Sequence, residues 1–344
     1  MNNGNDTAAN FDPGAPGVNN GNFFGFPYSL EQASTVIYPV TWDVTTSYGG
    51  GASRAPQAIL EASPQLDFFD FDFPRAWENR IGTHPGNALC RDNDAWRAKA
   101  EGIISSIEAG TPLTALSKQT DEINEACRRV NLRTREDVSA LLDDGKKVVL
   151  LGGDHSTPLG YIEALAERHD SFSILHIDAH ADLRDCYEGF EYSHASVMFN
   201  AMKLPSVTKL VQVGVRDVSP GEISFIENSG GRISLFDDYS CSRRLYAGEK
   251  WNEICLDIVS RLPEKVYVSF DIDGLDPALC PGTGTPVPGG LSFQQAAHLL
   301  LTLKTSGRKI IGADLNEVCP SPSDGQWNAN VGARILYKLC SLVR

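Results

Sequence analysis

Short apolar runs rich in β-branched and aromatic residues recur along the chain, and helical patterns fill the intervals between them. The clearest runs are residues 36–40, 148–151, 172–177, 210–215, 266–270 and 309–313. Strands that alternate with helices in this way form βαβ units, which build a mostly parallel sheet with helices on both faces. The pattern therefore predicts an α/β fold, a three-layer αβα sandwich with a doubly wound sheet.

Residues 92–144 lack such runs and show a helical pattern instead. Thr120 precedes one amphipathic stretch, and Thr134 with Asp137 resembles a capping box before a second, so two helix starts are predicted. No chemistry is evident in this segment. We interpret it as a helical insertion in one catalytic domain that covers residues 23–344.

The first 22 residues are dominated by Asn, Gly, Ala and Pro. This composition buries too little apolar surface to offset the entropy of chain ordering, which predicts a flexible extension at residues 1–22. Phe23, Phe24, Phe26 and Tyr28 follow directly. The alternative is therefore an extension that packs back over the domain.

Composition narrows the possible partners. The formal net charge of −14 disfavours nucleic acid, because phosphate binding requires clustered Lys and Arg. The excess carboxylates either keep the protein soluble or attract a small cationic substrate. Eight cysteines without a CxxC pair are typical of reduced thiols in the cytoplasm. No secretory leader pattern and no stretch of ~20 apolar residues is evident, so we expect neither export nor a membrane partner.

Polar residues of a restricted kind follow three of the apolar runs, at the point where each strand is predicted to end. The three elements are Gly-Gly-Asp-His, Asp-Ala-His-Ala-Asp and Asp-Ile-Asp. Extended backbone would direct alternate side chains to one face, and the carboxyl ends of parallel strands form the ligand-binding edge of such sheets. The candidate metal ligands are therefore His155, Asp178, His180, Asp182, Asp271 and Asp273.

Four carboxylates this close together cannot all stay ionised without compensating charge, and two divalent cations would cancel them. Oxygen-rich sites with imidazole suit Mn²⁺ and related metals, whereas structural zinc usually recruits thiolates. Paired cations can activate a shared water for hydrolysis. The Gly-Gly-Asp-His element precedes the Asp-Ala-His element, which is the wrong order for a metallophosphoesterase. We therefore predict a binuclear metallohydrolase that acts on another bond.

Four spaced motifs together resemble those of the arginase and agmatinase ureohydrolases: GGDHS, DAHADLR, SFDIDGLDP followed by GTGTPV, and DLNEVCP. The resemblance covers most of residues 36–344. It implies an arginase-like fold, release of urea from a guanidino group, and two divalent ions, Mn²⁺ or Ni²⁺, bridged by aspartates. It also implies a homo-oligomer, either a trimer or a hexamer.

The resemblance assigns further roles residue by residue. It makes Glu317 the carboxylate that holds the guanidinium, and Asp182 the carboxylate that orients the attacking hydroxide. His194 resembles a histidine beside the substrate that relays a proton to the leaving amine. Thr285 resembles a threonine that contacts the substrate, although its glycine-rich loop is equally consistent with a simple turn.

The substrate is the least defined feature. Arginine-specific members hold the α-amino and α-carboxylate groups with an Asn- and Ser/Thr-rich loop, whereas residues 183–192 are aromatic and acidic. This favours a substrate without a carboxylate, although Arg184 could hold one. Residues 39–48 resemble the agmatinase-like subgroup that includes guanidine hydrolases, in which nickel dependence occurs.

We therefore expect hydrolysis of free guanidine to urea and ammonia. One alternative is an agmatinase, which releases putrescine and urea from agmatine, or an enzyme for another guanidino amine or acid. A second alternative, from a different class of protein, is a catalytically silent subunit that binds an active relative.

Overall fold

The computed structural model describes residues 11–344. Within that range, eight strands form one sheet in which every hydrogen-bonded pair is parallel. The strands are β1 (Thr35–Pro39), β2 (Ile81–Thr83), β3 (Lys147–Leu151), β4 (Phe172–Ile177), β5 (Val207–Val213), β6 (Ile233–Phe236), β7 (Lys265–Asp271) and β8 (Lys309–Asn316). Their order across the sheet is β2-β1-β3-β8-β7-β4-β5-β6.

The six predicted runs correspond to β1, β3, β4, β5, β7 and β8. The sequence pattern does not predict β2 and β6, which lie at the two edges of the sheet. Edge strands this short contain too few residues to display the alternation or the continuous apolar run that identifies a strand.

Helices cover both faces of the sheet, which confirms the predicted α/β fold. Within residues 11–344 they are α1 (Ala55–Ala62), α2 (Asn93–Glu108), α3 (Leu113–Asp143), α4 (Leu159–Ala166), α5 (Val197–Met202), α6 (Pro220–Glu227), α7 (Asp238–Tyr246), α8 (Trp251–Ser260), α9 (Phe293–Thr305) and α10 (Trp327–Leu342). One apolar core lies between the sheet and α1, α8, α9 and α10. The other lies between the sheet and α2 to α5.

The segment between residues 92 and 144 consists mainly of α2 and α3, and α3 is one continuous helix of 31 residues. The two predicted helix starts inside it are therefore wrong. Thr120 donates its hydroxyl to the Ser117 carbonyl, and the hydroxyl of Thr134 accepts from the side chain of Asn87. Both side chains are satisfied without capping a helix, so the chain continues through them.

Residues 1–10, part of the predicted extension, lie outside the described range. Beyond them, the ring of Phe11 packs against Phe26 and Phe68, with centroid distances of 5.2 and 5.3 Å. Phe23 and Phe24 are buried in the first core. None of the helices between residues 11 and 344 combines the length and apolar character that a membrane crossing requires.

The order of the central strands creates the functional edge of the sheet. β3 and β4 are consecutive along the chain, yet β8 and β7 lie between them. The direction of chain progression therefore reverses at this point, and such switch points leave a crevice at the carboxyl ends of the strands. The carboxyl ends of β3, β8, β7 and β4 lie side by side there.

Candidate metal centre

The turn after β3 presents the first histidine of the site. A side-chain carbon at Gly152 would collide with the side chain of Asn316, and one at Gly153 would collide with the backbone of Trp42. The chain therefore needs two glycines to pass between these neighbours. His155 follows and is fully enclosed, with 1% of its surface exposed.

The ring nitrogen Nδ1 of His155 faces three carboxylates. It lies 2.9 Å from Oδ2 of Asp178, 3.0 Å from Oδ2 of Asp271 and 3.3 Å from Oδ2 of Asp182. None of these contacts has hydrogen-bonding alignment, and Nδ1 has no hydrogen-bond partner among the described residues. Ligand atoms held about 2.1 Å from one octahedral cation lie about 3 Å apart. The four atoms therefore fit a shared cation.

A second group of ligand atoms surrounds His180. Its Nδ1 lies 3.1 Å from Oδ2 of Asp273 and 3.4 Å from Oδ1 of Asp178. Asp178 thus turns one oxygen towards each histidine, as a carboxylate that bridges two cations would. The structure brings all six predicted ligands together, and two groups of side chains could each hold an ion. The first ligand group is His155, His176, Asp178 and Asp182, and the second is Asp178, His180 and Asp273. Asp271 belongs to neither group but lies 3.0 Å from His155.

The local backbone differs from the predicted extended conformation. Asp182 has φ 53°, and its carbonyl accepts hydrogen bonds from Met198 and Phe199 at the start of α5. Asp271 and Asp273 are joined by a turn in which Oδ1 of Asp271 accepts from the backbone N–H of Asp273 at 2.8 Å. The carboxylates therefore converge through turns, because β4 and β7 end before the last ligands.

Charge in the cluster is unbalanced without a cation. Burial, together with neighbouring carboxylates, raises the pKa of Asp182 and that of Asp271 well above their usual range. Burial alone would lower the pKa of His180, but the carboxylates of Asp273 and Asp178 raise it to about 12. The site therefore stabilises added positive charge, which two divalent cations would supply.

Glu317 lies at the end of β8 in a left-handed conformation, with φ 63°. Its Oε1 accepts the backbone N–H of His155 at 2.8 Å, whereas its buried Oε2 has no partner among the described residues. Burial and the nearby carboxylate of Asp154 raise its pKa well above the usual range. Strained backbone and an unsatisfied buried acceptor together favour a role in binding a cationic donor.

A cavity of about 520 Å³ opens beside the cluster, and both His194 and Thr285 lie in its wall with His180 and Asp182. The backbone N–H of His194 donates to the hydroxyl of Thr45 at 3.3 Å. Enclosure, helped by the positive charge of His180, lowers the pKa of His194 to about 4. His194 is therefore a neutral imidazole near pH 7, able to accept or pass on a proton.

Some polar side chains around the metal centre were not predicted from the sequence. His176 is buried in β4 within reach of the first ligand group, and Ser269 and Asp314 lie beneath the ligands. Asp217, which follows β5, lies in the cavity wall. For His176, Ser269 and Asp314, the available signal was a polar residue inside an otherwise apolar strand, which does not indicate which neighbour it contacts.

The fold and the site together define a metal-dependent α/β hydrolase. The model of the arginase family matches residues 33–341, so the chain belongs to the arginase family. It is 33% identical over 317 residues to an N(1)-aminopropylagmatine ureohydrolase of Thermus thermophilus, which covers 92% of each chain. It is 29% identical over 331 residues to an agmatinase of Neisseria meningitidis, which covers 93% of each.

A solved structure of proclavaminate amidino hydrolase from Streptomyces clavuligerus has a TM-score of 0.74 and 24% identity, over 94% of this chain and 96% of that one. The family resemblance, the fold class and the prediction of an enzyme are confirmed. The protein is a ureohydrolase, a hydrolase that cleaves a guanidino C–N bond, in a family that uses a pair of divalent cations.

Proposed function

We propose that the protein hydrolyses a guanidine with an amine tail, of which agmatine is a simple example, to urea and the free amine. The observation that carries this proposal is the cavity of about 520 Å³, whose wall contains His180, Asp182 and Asp217. Free guanidine has no tail with which to fill such a volume. The names of the two relatives describe enzymes for amine-tailed guanidines.

Asp217 is the carboxylate best suited to receive the tail. Asp217 lines the cavity, and its backbone forms a parallel bridge with that of His180. The other nearby carboxylate, Glu222, already accepts hydrogen bonds from the N–H of Leu183 and from Ser219. An ammonium group would therefore gain more from pairing with Asp217 than with Glu222.

Arg184 is a weak site for a substrate carboxylate. Its guanidinium stacks over the ring of Tyr187 at 4.9 Å, and its Nε lies 3.9 Å from Oε2 of Glu222. Its positive charge is thus partly matched within the protein. This supports an amine rather than an amino-acid tail.

Three side chains have separate roles in the proposed reaction. Glu317 binds the guanidinium through Oε2, which has no other partner among the described residues. Asp182 accepts a proton from the attacking water, and this proton reaches the leaving nitrogen from Asp182 or by relay through neutral His194. A pair of divalent cations supplies Lewis acidity and lowers the pKa of water at this site.

We propose Mn²⁺ or Ni²⁺ as the native metal. The six predicted ligands are four carboxylates and two imidazoles, and no thiolate is among the ligand groups of the described chain. Such a set suits Mn²⁺, and Ni²⁺ also accepts imidazole. A homo-oligomer, trimeric or hexameric, is a further proposal that light scattering of the purified protein would test.

Urea release after loading with Mn²⁺ or Ni²⁺ tests the proposed function. The substrates are agmatine, N(1)-aminopropylagmatine, guanidine, guanidinobutyrate and arginine. We expect the highest kcat/KM for an amine-tailed guanidine. A preference for guanidine would support the smaller substrate that the sequence favours, and a preference for arginine or guanidinobutyrate would overturn the amine tail. Two bound ions with no urea from any substrate would indicate a silent subunit.

A further inference from the structure

Four buried polar side chains form a row across the sheet beneath the metal ligands. They are His176 of β4, Gln212 of β5, Ser269 of β7 and Asp314 of β8. The strand register pairs His176 with Gln212 and with Ser269, and it pairs Ser269 with Asp314. Each residue is fully buried. Residues in register point to the same face, so these side chains, here called the polar row, form one layer.

Gln212 and Asp178 together fix which nitrogen of His176 carries the proton. The amide nitrogen of Gln212 donates to the carbonyl of Ala181 at 2.7 Å, a contact that the amide oxygen could not make. The same nitrogen lies 3.0 Å from Nδ1 of His176. Because an amide nitrogen only donates, Nδ1 accepts and the ring proton lies on Nε2. That N–H then donates to Oδ2 of Asp178 at 2.8 Å.

Ser269 fixes the ring proton of His155 in the opposite way, by accepting a hydrogen bond from it. Its hydroxyl donates to Oδ1 of Asp314 at 3.0 Å, and its oxygen lies 2.8 Å from Nε2 of His155. The serine oxygen therefore accepts from Nε2, which leaves the lone pair of Nδ1 facing the carboxylates. Metal-binding histidines usually donate their second N–H to such a partner.

We propose that the polar row positions the metal ligands, and that His176 is a positioning residue for Asp178 rather than a third imidazole ligand. This inference rests on the metal-dependent function proposed above. Nitrogens of His155 and His176 approach Oδ2 of Asp178 at 2.9 and 2.8 Å, but only His176 is aligned for a hydrogen bond. The donated N–H holds Oδ2 in the direction of the first ligand group.

Two substitutions separate a donor from a ligand. His176→Gln keeps an N–H near the position of Nε2, whereas His176→Leu removes it. In calorimetric titration of chelator-treated protein with Mn²⁺, we expect His176→Leu to weaken binding of at least one ion by about 10- to 100-fold, and His176→Gln to recover affinity to within about threefold of wild type. Equal weakening in both variants, or none in His176→Leu, would overturn the proposal.

The ring proton provides a readout that does not depend on metal. In metal-free protein with ¹⁵N-labelled histidine, we expect the NMR signals of His176 to report the Nε2–H tautomer, because Gln212 donates to Nδ1 and Asp178 accepts from Nε2. The Nδ1–H tautomer in the wild type would contradict the proposed role of the polar row, even if His176→Leu failed to fold. A wild-type protein that binds no Mn²⁺ would instead refute the metal-dependent function, while the tautomer still tests the row.

Ser173→Ala is a matched control. Ser173 is buried on the same strand, but its hydroxyl donates to the carbonyl of Lys265 at the opposite end of the sheet. We expect Mn²⁺ affinity and the His176 tautomer to match those of the wild type. If Ser173→Ala lost as much Mn²⁺ affinity as His176→Leu, the loss of any polar side chain in β4 would weaken the site, and the specific role of His176 would be refuted.

Discussion

Gly284 approaches Glu317 so closely that a side-chain carbon at Gly284 would lie 3.1 Å from Oε2 of Glu317. This oxygen is the buried acceptor that has no partner among the described residues. Gly284 also lines the cavity next to Thr285. The absence of a side chain therefore leaves room for a guanidinium beside the carboxylate.

Gly284→Ala should remove that room while leaving the metal ligands in place. A displacement of the substrate by about 1 Å can cost roughly 100-fold in rate, so we expect kcat/KM to fall by about 10- to 100-fold. Bound metal, measured by mass spectrometry, should be unchanged. Gly102→Ala is the control, because nothing lies within 4 Å of its added carbon. Equal activity of the two variants would argue against guanidinium binding at this position.

Glu317→Gln should lower activity and raise stability together. Losing a buried charged partner costs about 2–5 kcal/mol of binding, so kcat/KM for a guanidino substrate should fall by at least about 30-fold. Burial raises the pKa of Glu317 in the folded state, so its ionised form opposes folding once the pH rises above the unfolded value. The neutral amide removes this opposition. Thermal unfolding of metal-free protein at pH 7 should show a higher Tm, and a lower one would contradict the argument.

His194 should make the metal-free protein less stable in acid. Its folded pKa of about 4 lies below the usual value of 6.5, so only the unfolded chain takes up this proton as the pH falls from about 6.5 to 4. The free energy of unfolding should therefore decrease over that interval. We expect the free energy of unfolding of His194→Asn, measured by urea denaturation, to fall less between pH 7 and pH 5 than that of the wild type. An equal fall in the two proteins would show that the pKa of His194 is not lowered by folding.

Asp217→Asn should discriminate between substrates. If the carboxylate pairs with the tail ammonium, its loss should lower kcat/KM for agmatine by about 10-fold, and the loss for tailless guanidine should be far smaller. Asp185→Asn, an exposed change in the loop after Arg184, serves as the control. An equal loss for both substrates would place the effect of Asp217 at the metal centre instead of at the tail.

Local sequence patterns were sufficient to predict the central strands and to identify six candidate ligands that the structure brings together. Buried parallel strands require continuous apolar runs, and the carboxylate and imidazole residues at their ends, such as Asp178 and Asp271, stand out against those runs. The four motifs then identified the family. These features depend on neighbours in sequence, so a single chain displays them.

Only the tertiary structure decided how the ligands meet. The insertion of β8 and β7 between β3 and β4 brings Glu317 to the site and aligns Ser269 with both His176 and Asp314. Strand order, register and side-chain hydrogen bonds join residues that are far apart in sequence, so no local period records them. For the same reason, an isolated polar residue such as His176 in β4 acquires a meaning only from the strands packed beside it.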